Sequence, residues 1–147
     1  PGLRIRLARR SDVRPILKLD AAAFDTFWRF DTEALVEAAH ATPRNRQRVA
    51  QQGKKVVGYT MIGQSGRTGF IQRLAVDPDH YGQGTGRTLL LDGLRWLQNR
   101  EVFQALVNTQ PGNSRALALY QSVGFTQRPE DLAVLRLDRI EGPGGNH

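Results

Sequence analysis

Three glycines stand at every second position in the stretch His80-Tyr81-Gly82-Gln83-Gly84-Thr85-Gly86-Arg87. The stretch lies between an apolar run that predicts a strand ending at Val76 and an amphipathic pattern that predicts a helix from Thr85. Glycines let the backbone approach a ligand closely, and the first turn of a helix presents unpaired N–H groups with partial positive charge. The sequence therefore predicts an anion-binding loop, for which pyrophosphate is a natural ligand and Arg87 an additional donor.

Two other phosphate-binding loops fit this stretch poorly. The nucleotide P-loop ends in Gly-Lys-Ser/Thr, whereas Gly86-Arg87-Thr88 has arginine in place of lysine and lacks the first glycine at the required spacing. In the dinucleotide fingerprint Gly-x-Gly-x-x-Gly the third glycine comes one residue later than it does here. A plain turn remains an alternative, but the preceding strand, the following helix and the arginine favour a ligand site.

The rest of the chain reads as alternating strands and helices. Pro15 fits the first turn of a helix capped by Asp12, a second helix is predicted from Asp31, and Asn113 is predicted to cap the last. A glycine-containing turn is predicted over 63–69. Strands are predicted over 3–8, 46–51, 55–62, 70–76, 102–107, 125–128 and 132–137, with the central helix over 85–99. This order predicts an α/β protein with a mixed sheet.

A second motif makes the fold assignment specific. The stretch 113–125, Asn-Ser-Arg-Ala-Leu-Ala-Leu-Tyr-Gln-Ser-Val-Gly-Phe, follows the glycine loop, and the loop itself follows Leu74-Ala75-Val76-Asp77-Pro78. In order and spacing these stretches resemble the two motifs of the GNAT acetyltransferases, and the resemblance extends from 3 to 137. It implies a mixed, mostly antiparallel central sheet of about six or seven strands flanked by four helices. A single domain over 1–140 and a flexible tail over 141–147 are the expected organisation.

The resemblance also implies a cofactor, acetyl-CoA. Backbone groups of the strand before the loop would pair with the pantetheine arm, an N–H near Leu74 would polarise the acetyl carbonyl, and Tyr120 would donate a proton to the departing thiolate. Strand packing of Leu74, ring packing of Tyr120 and simple capping by Asn113 are the alternatives. Tyr81 stands where the family usually has Arg or Gln. The expected cofactor-binding residues are Leu74, Ala75, Val76, Tyr81, Gly82, Gln83, Gly84, Thr85, Gly86, Arg87, Asn113 and Tyr120.

The acceptor amine is less well defined by the sequence. The family implies that the segment between the first two helices selects the acceptor, and we expect Phe27, Trp28 and Asn108 to contact it. The strand before the loop has no carboxylate that could act as a base. A water chain, Tyr59, Asp25 and Asp31 remain candidates for the base.

Composition limits the other possibilities. The 147-residue chain has no cysteine, which excludes a disulfide framework, a thiolate metal site and a cysteine nucleophile, and its three histidines predict no metal site. A net charge of +7 attracts polyanions, but the basic residues are scattered without interleaved aromatics, which disfavours nucleic acid as a partner. No apolar run approaches a membrane span of about 20 residues and no signal peptide is recognisable, so a cytoplasmic protein without membrane partners is expected.

The resulting hypothesis is an N-acetyltransferase in which an amine of a small molecule, a peptide N-terminus or a lysine attacks acetyl-CoA directly in a ternary complex. No covalent enzyme intermediate is expected. The alternatives are a non-catalytic acyl-CoA sensor of the same fold and a basic nucleic-acid-binding domain. A monomer and a homodimer are both compatible with the sequence.

Overall fold

The computed structural model describes residues 2–24, 29–109, 113–128 and 131–140. Their regular elements in chain order are β1 Leu3–Leu7, a 3₁₀ turn Arg10–Asp12, α1 Val13–Ala23, α2 Thr32–His40, β2 Arg44–Gln52, β3 Lys55–Ser65, β4 Thr68–Val76, a 3₁₀ turn Pro78–His80, α3 Thr85–Asn99, β5 Gln104–Asn108, α4 Ser114–Ser122, β6 Thr126–Arg128 and β7 Asp131–Leu137. The expected tail over 141–147 lies outside the described residues.

The strands form one sheet in the order β1-β2-β3-β4-β5-β7-β6. Every neighbouring pair is antiparallel except β4 and β5, which are parallel. The prediction of a mixed, mostly antiparallel sheet with four helices is therefore confirmed for the described part of the chain. The C-terminal strand pair belongs to this sheet, because β7 pairs with both β5 and β6.

Hydrophobic clusters cover the sheet. The largest is built around Leu90, Leu94 and Leu97 of α3, which are at most 4% exposed, as their spacing predicted. A separate cluster gathers Ile16 and Leu19 of α1 with residues of α2, β2 and β3. Each fully buried leucine or isoleucine contributes roughly 1.5–3 kcal/mol, so these clusters fix where the helices lie on the sheet.

Of the two predicted helix caps, the one at Asn113 is made by the expected side chain and the one at Asp12 is not, while Asp31, the predicted start of the second helix, also makes a cap. Asp31 accepts a hydrogen bond from Ala34 N at 2.8 Å, and Asn113 accepts one from Ala116 N at 3.0 Å. Asp12 stands at the start of α1 but makes no cap bond to it. Its buried carboxylate accepts instead from Arg9 N and from the Arg6 guanidinium. A partner from β1 thus replaces the predicted local cap.

The predicted turn over 63–69 is wrong. β3 continues to Ser65 and β4 starts at Thr68, so the connection is a tight hairpin with Gly66 at φ 58°. The other two glycines of the stretch serve packing: a Cβ on Gly63 would lie 2.5 Å from Thr42 Oγ1, and one on Gly69 would collide with Leu97. Composition could not separate these packing glycines from the turn glycine.

The two parallel strands diverge toward the end of β4. β4 pairs with β3 as far as Val76, but its pairing with β5 stops at Ile71, opposite Val107. On the side of β5, the stretch 72–76 therefore has no paired strand among the described elements. We call this stretch the open edge of β4. It lies beside the N-terminus of α3 and positions the site described below.

Candidate functional site

The glycine loop enters α3 through two left-handed residues. Gly82 has φ 79° and Gly84, the N-cap of α3, has φ 80°. Side chains rarely adopt this conformation, which accounts for glycine at both positions. The first backbone hydrogen bond of the helix runs from Thr88 N to Gly84 O at 3.0 Å. The N–H groups of the preceding turn have no helical acceptor, as the sequence predicted for an anion site.

A cleft of about 440 Å³ joins this loop to the open edge of β4. Nearly all of the predicted cofactor residues line it, the exception being Gln83. The sequence did not single out the rest of the lining. The predicted residues in the lining are Leu74, Ala75, Val76, Tyr81, Gly82, Gly84, Thr85, Gly86, Arg87, Asn113 and Tyr120, and the additional ones are Ala23, Phe24, His80, Arg115, Ala116 and Leu119.

Two arginines line this first cleft beside the helix terminus. Arg87 donates to Ser122 Oγ at 3.0 Å, which ties the first turn of α3 to the end of α4. Arg115 places its guanidinium 4.0 Å from the ring centroid of Tyr81, a cation–π contact. Tyr81, the residue that departs from the family pattern, therefore holds the Arg115 guanidinium at the cleft. Arg115 comes from the first turn of α4, so a local reading of the loop could not find it.

Tyr120 lies where the first cleft meets a second. Its side chain is buried, packs edge-to-face on Phe125 with ring centroids 5.4 Å apart, and lines both clefts. Burial raises the pKa of the Tyr120 phenol above its ordinary value, because the phenolate would lose its hydration. The phenol is therefore protonated at neutral pH and available as a proton donor.

The second cleft, of about 460 Å³, opens between α2 and the ends of β4 and β5. Asn108, predicted to face the acceptor, lines its wall. Phe27 and Trp28, the other two predicted acceptor residues, lie outside the described residues. The two clefts share five lining residues, so two ligands, one in each cleft, would meet beside them. The shared residues are Phe24, Leu74, Asn113, Ala116 and Tyr120.

A buried carboxylate organises one wall of the second cleft. Asp20 Oδ1 accepts from Phe30 N at 2.8 Å and from Arg73 Nη2 at 2.9 Å. Asp20 Oδ2 accepts from Tyr59 OH at 2.7 Å and from Arg73 Nε at 2.8 Å. The rings of Phe24 and Phe30 lie with their centroids 3.7 and 3.8 Å from the Arg73 guanidinium carbon. We call these five residues the Asp20 network.

The network decides one of the open questions about the base. Tyr59 donates its proton to Asp20, and burial, with the Asp20 charge, raises the pKa of its phenol. Tyr59 is therefore a hydrogen-bond donor inside the fold and unsuited to accept a proton. Asp31 is committed to capping α2, and Asp25 lies outside the described residues.

One signal for the network was present in the sequence. Asp20 follows Ile16 by four residues, so it falls on the buried stripe of α1, where an acidic residue requires a partner. Arg73 on β4 is that partner, but the pairing joins elements that are distant in sequence. Among the described residues, no group of three or more His, Cys, Asp or Glu side chains could hold a metal ion. None of the described helices combines the length and apolarity needed to cross a membrane.

Known proteins share both the sequence pattern and the fold. The profile described as "Acetyltransferase (GNAT) family" matches residues 13–125. N-alpha-acetyltransferase RimI of Mycobacterium tuberculosis is 34% identical over 122 residues, which cover 79% of this chain and 73% of that protein. Mycothiol acetyltransferase of Amycolatopsis mediterranei is 32% identical over 137 residues. That match covers 82% of this chain and 45% of the relative, so the chain spans about half the length of the relative.

A solved structure extends the comparison of the fold. The PaiA N-acetyltransferase from Thermoplasma acidophilum, crystallised in complex with coenzyme A, superposes with a TM-score of 0.81. The superposition covers 92% of this chain and 98% of that one at 13% sequence identity. At this identity the likeness concerns the arrangement of strands and helices.

Proposed function

Because this chain belongs to the GNAT family of acetyltransferases, we propose that it transfers an acetyl group from acetyl-CoA to a primary amine by direct attack in a ternary complex. The relatives at 34% and 32% identity are named as acetyltransferases, which supports the same reaction class here. The amine belongs to a small molecule, a peptide N-terminus or a lysine. The first cleft would hold the coenzyme and the second the amine.

The observation that carries the proposal is the open edge of β4 beside the N-terminus of α3. An extended pantetheine arm can pair with the backbone of Leu74, Ala75 and Val76 as an added strand, because β5 has diverged from them. The diphosphate then reaches the unpaired amides of α3 within the same cleft. An extended, phosphate-bearing ligand needs a free strand edge for its arm and unpaired N–H groups for its phosphates. The first cleft offers both along one continuous surface.

The charges around the helix terminus fit a diphosphate. Arg87 and Arg115 line the cleft together with the loop backbone, and guanidinium groups form strong, charge-assisted bonds to phosphate oxygens. Arg115 compensates for Tyr81, which cannot supply a cation itself. The coenzyme-binding set proposed from the sequence is therefore extended by Arg115.

Acetyl-CoA supplies the acetyl group as an activated thioester, and the protein supplies position and protons. The N–H of Leu74 is proposed to donate to the acetyl oxygen, since Leu74 lines both clefts at their junction. Tyr120 is proposed to protonate the departing sulfur. Burial keeps the phenol protonated at neutral pH, so its proton is present when the thiolate forms.

The acceptor side remains the less specified half of the proposal. Asn108 would hydrogen-bond the acceptor from the end of β5, and Phe27 and Trp28 would contact it from the segment before α2. With Tyr59 committed to Asp20, a water chain is the proposed route for the amine proton. We propose a cytoplasmic location, where acetyl-CoA is available, and a monomer or homodimer as the working species.

Binding is tested first. The purified chain is titrated with acetyl-CoA while its melting temperature is followed, and the midpoint should rise with ligand concentration as expected for binding to the folded state. A panel of amines, including amino-acid amides, peptides with free N-termini and polyamines, is then assayed for release of free thiol. A chain that shows no shift with any acyl-CoA would refute the coenzyme site and the enzyme together.

The Tyr120→Phe variant separates an enzyme from a sensor. General acid catalysis typically contributes about 10²–10⁴-fold, so kcat should fall by that order while the acetyl-CoA-induced thermal shift stays unchanged. Arg115→Gln is the complementary variant and should weaken coenzyme binding first. Unchanged turnover in Tyr120→Phe would remove Tyr120 from the mechanism, and absence of turnover in the parent protein would favour the sensor.

A further inference from the structure

A third and larger cleft lies along the exposed side of α1, and its lining shares no residue with either of the first two clefts. It has a volume of about 1010 Å³, and we call it the basic cleft. Its walls come from the β1–α1 connection, the exposed side of α1, the β2–β3 hairpin and the connection after β4. The lining residues are Arg6, Arg9, Asp12, Arg14, Pro15, Lys18, Leu19, Ala22, Gln51, Lys54, Lys55, Val56, Asp77 and Asp79.

The basic cleft carries six basic and three acidic side chains, a net charge of +3. Two of the basic side chains form ion pairs with two of the acidic ones. Arg6 binds Asp12 with N–O distances of 2.8 and 2.9 Å, and Lys55 Nζ lies 3.1 Å from Asp77 Oδ2. These contacts neutralise two of the cations within the fold.

Four cations remain in the basic cleft, and they form no ion pair with any described residue: Arg9, Arg14, Lys18 and Lys54. All four are exposed, whereas Asp79 is the one acidic lining residue outside the internal pairs. Arg14 and Lys18 are four residues apart on α1, so their side chains share a face about 6 Å apart. Lys54 approaches from the hairpin turn. The unpaired charge is therefore distributed over three separate segments of the chain.

The floor between these cations is apolar, formed by Pro15, Leu19, Ala22 and Val56. Leu19 is buried, at 4% exposure. No aromatic side chain lines the cleft, so it offers no platform for stacking nucleic-acid bases. Asp12 and Asp77 are neutralised by their internal pairs, so Asp79 is the one lining carboxylate that would oppose an anionic ligand. The combination suits a ligand that alternates anionic and apolar groups over several residues.

We propose that the basic cleft binds an acidic segment of a partner polypeptide. Glutamate and aspartate side chains of the segment pair with Arg14, Lys18 and Lys54, while an apolar side chain between them rests on Ala22 and Val56. The volume is larger than a single carboxylate or phosphate group fills, which favours a polymer. The site is separate from both clefts of the proposed acetyltransfer reaction and does not depend on that reaction.

The test uses a short fluorescein-labelled peptide in which glutamates are interspersed with leucines. The matched probes are the same peptide with lysine in place of glutamate, an all-glutamate peptide without leucines, and a labelled DNA duplex. Each is titrated with the full chain at low and at near-physiological salt by fluorescence anisotropy. The acidic peptide should bind, the basic peptide should not, and DNA should bind more weakly than the acidic peptide.

Charge-reversal variants locate the binding. Arg14→Glu/Lys18→Glu/Lys54→Glu should weaken the acidic peptide by about tenfold or more, as expected for removal of an electrostatically complementary surface. The control Arg44→Glu/Arg67→Glu/Arg95→Glu changes the net charge equally at exposed positions outside the cleft and should leave the affinity within about twofold. Both variants should keep the melting temperature and the acetyl-CoA response of the parent chain.

Four results would overturn the proposal. These are failure of the acidic peptide to bind at low salt, equal loss in the two charge-reversal variants, tighter binding of DNA than of the acidic peptide, and equal affinity for an all-glutamate peptide without leucines. The first two would show that the cleft holds no peptide site. The third would indicate a polynucleotide, and the last would show that the apolar floor plays no part.

Discussion

At the scale of single residues, Asp20 has the largest structural role in the region of the site. It is fully buried, and its two oxygens accept four hydrogen bonds from three different elements or connections. Arg73, 11% exposed, receives its counter-charge there. The network fixes Phe24 and Phe30 against the guanidinium and thereby shapes the wall of the second cleft. Its proposed effect on the acceptor would act through these two rings.

Replacing Asp20 by asparagine tests this role. The Asp20→Asn variant keeps the shape but removes the buried negative charge that the mostly buried Arg73 guanidinium contacts, which typically costs about 3–5 kcal/mol. Urea unfolding should show that loss. Asp92→Asn is the matched control, because Asp92 also takes two bonds from one arginine, Arg48, but on a partly exposed surface. A loss there of about 1 kcal/mol is expected. Equal losses at the two sites would contradict the role given to burial.

At the scale of elements, the N-terminus of α3 combines a structural requirement with the proposed binding of the diphosphate. Gly84 holds a left-handed conformation at the point where the helix begins, and a Cβ built there meets nothing within 4 Å. The space is open on the side from which a ligand would approach. Strain and ligand contact can therefore be separated by comparison with a glycine of similar conformation elsewhere.

Gly66 provides that comparison, since it has φ 58° and equal free space in the β3–β4 hairpin. Gly84→Ala and Gly66→Ala should each lower the free energy of unfolding by about 1–2 kcal/mol, because both force a side chain into the left-handed region. Acetyl-CoA affinity, measured by calorimetry, should fall for Gly84→Ala and remain unchanged for Gly66→Ala. A parallel loss of affinity in both would mean that instability alone weakens binding.

At the scale of the whole molecule, stability should depend on pH through a contact between β1 and the start of α1. The Arg6 guanidinium holds the pKa of Asp12 below its usual value. A lowered folded-state pKa adds stability above the unfolded pKa of about 3.9, and this contribution is lost as the pH falls through the folded value. Arg6→Gln should therefore have a lower free energy of unfolding than the parent near pH 7. It should also lose less of that free energy on acidification.

The measurement is a series of urea midpoints from neutral pH down to strongly acidic pH. The parent and Arg6→Gln curves should converge at the acidic end, where Asp12 is protonated in both. Arg10→Gln, an exposed arginine beside the same turn, serves as the control and should follow the parent curve. Curves for Arg6→Gln and the parent that stay parallel throughout would show that the Asp12 pair contributes nothing to acid sensitivity.

The sequence predicted most local features and few long-range ones. The bounds of α3, the start of α2 at Asp31, the cap at Asn113 and the seven strands follow from periodicity and local hydrogen bonding. The glycine loop, which we propose binds the diphosphate, could be predicted for the same reason, since its glycines and the helix terminus are neighbours in sequence. The role of Asp12 was predicted wrongly and that of Asp20 was not predicted at all, because their partners lie on other elements. Such pairings depend on the assembled sheet.

The position of β7 has a consequence for how the chain is made. β7 lies between β5 and β6, although both precede it in sequence. A nascent chain that has released β6 from the ribosome therefore exposes β5 with one side unpaired, and β6 has no neighbour at all. Free strand sides of this kind recruit other extended chains. Translational pausing in the codons after Arg128 would prolong the interval in which β5 is unpaired. A chaperone that covers β5 during this interval would reduce its pairing with other chains.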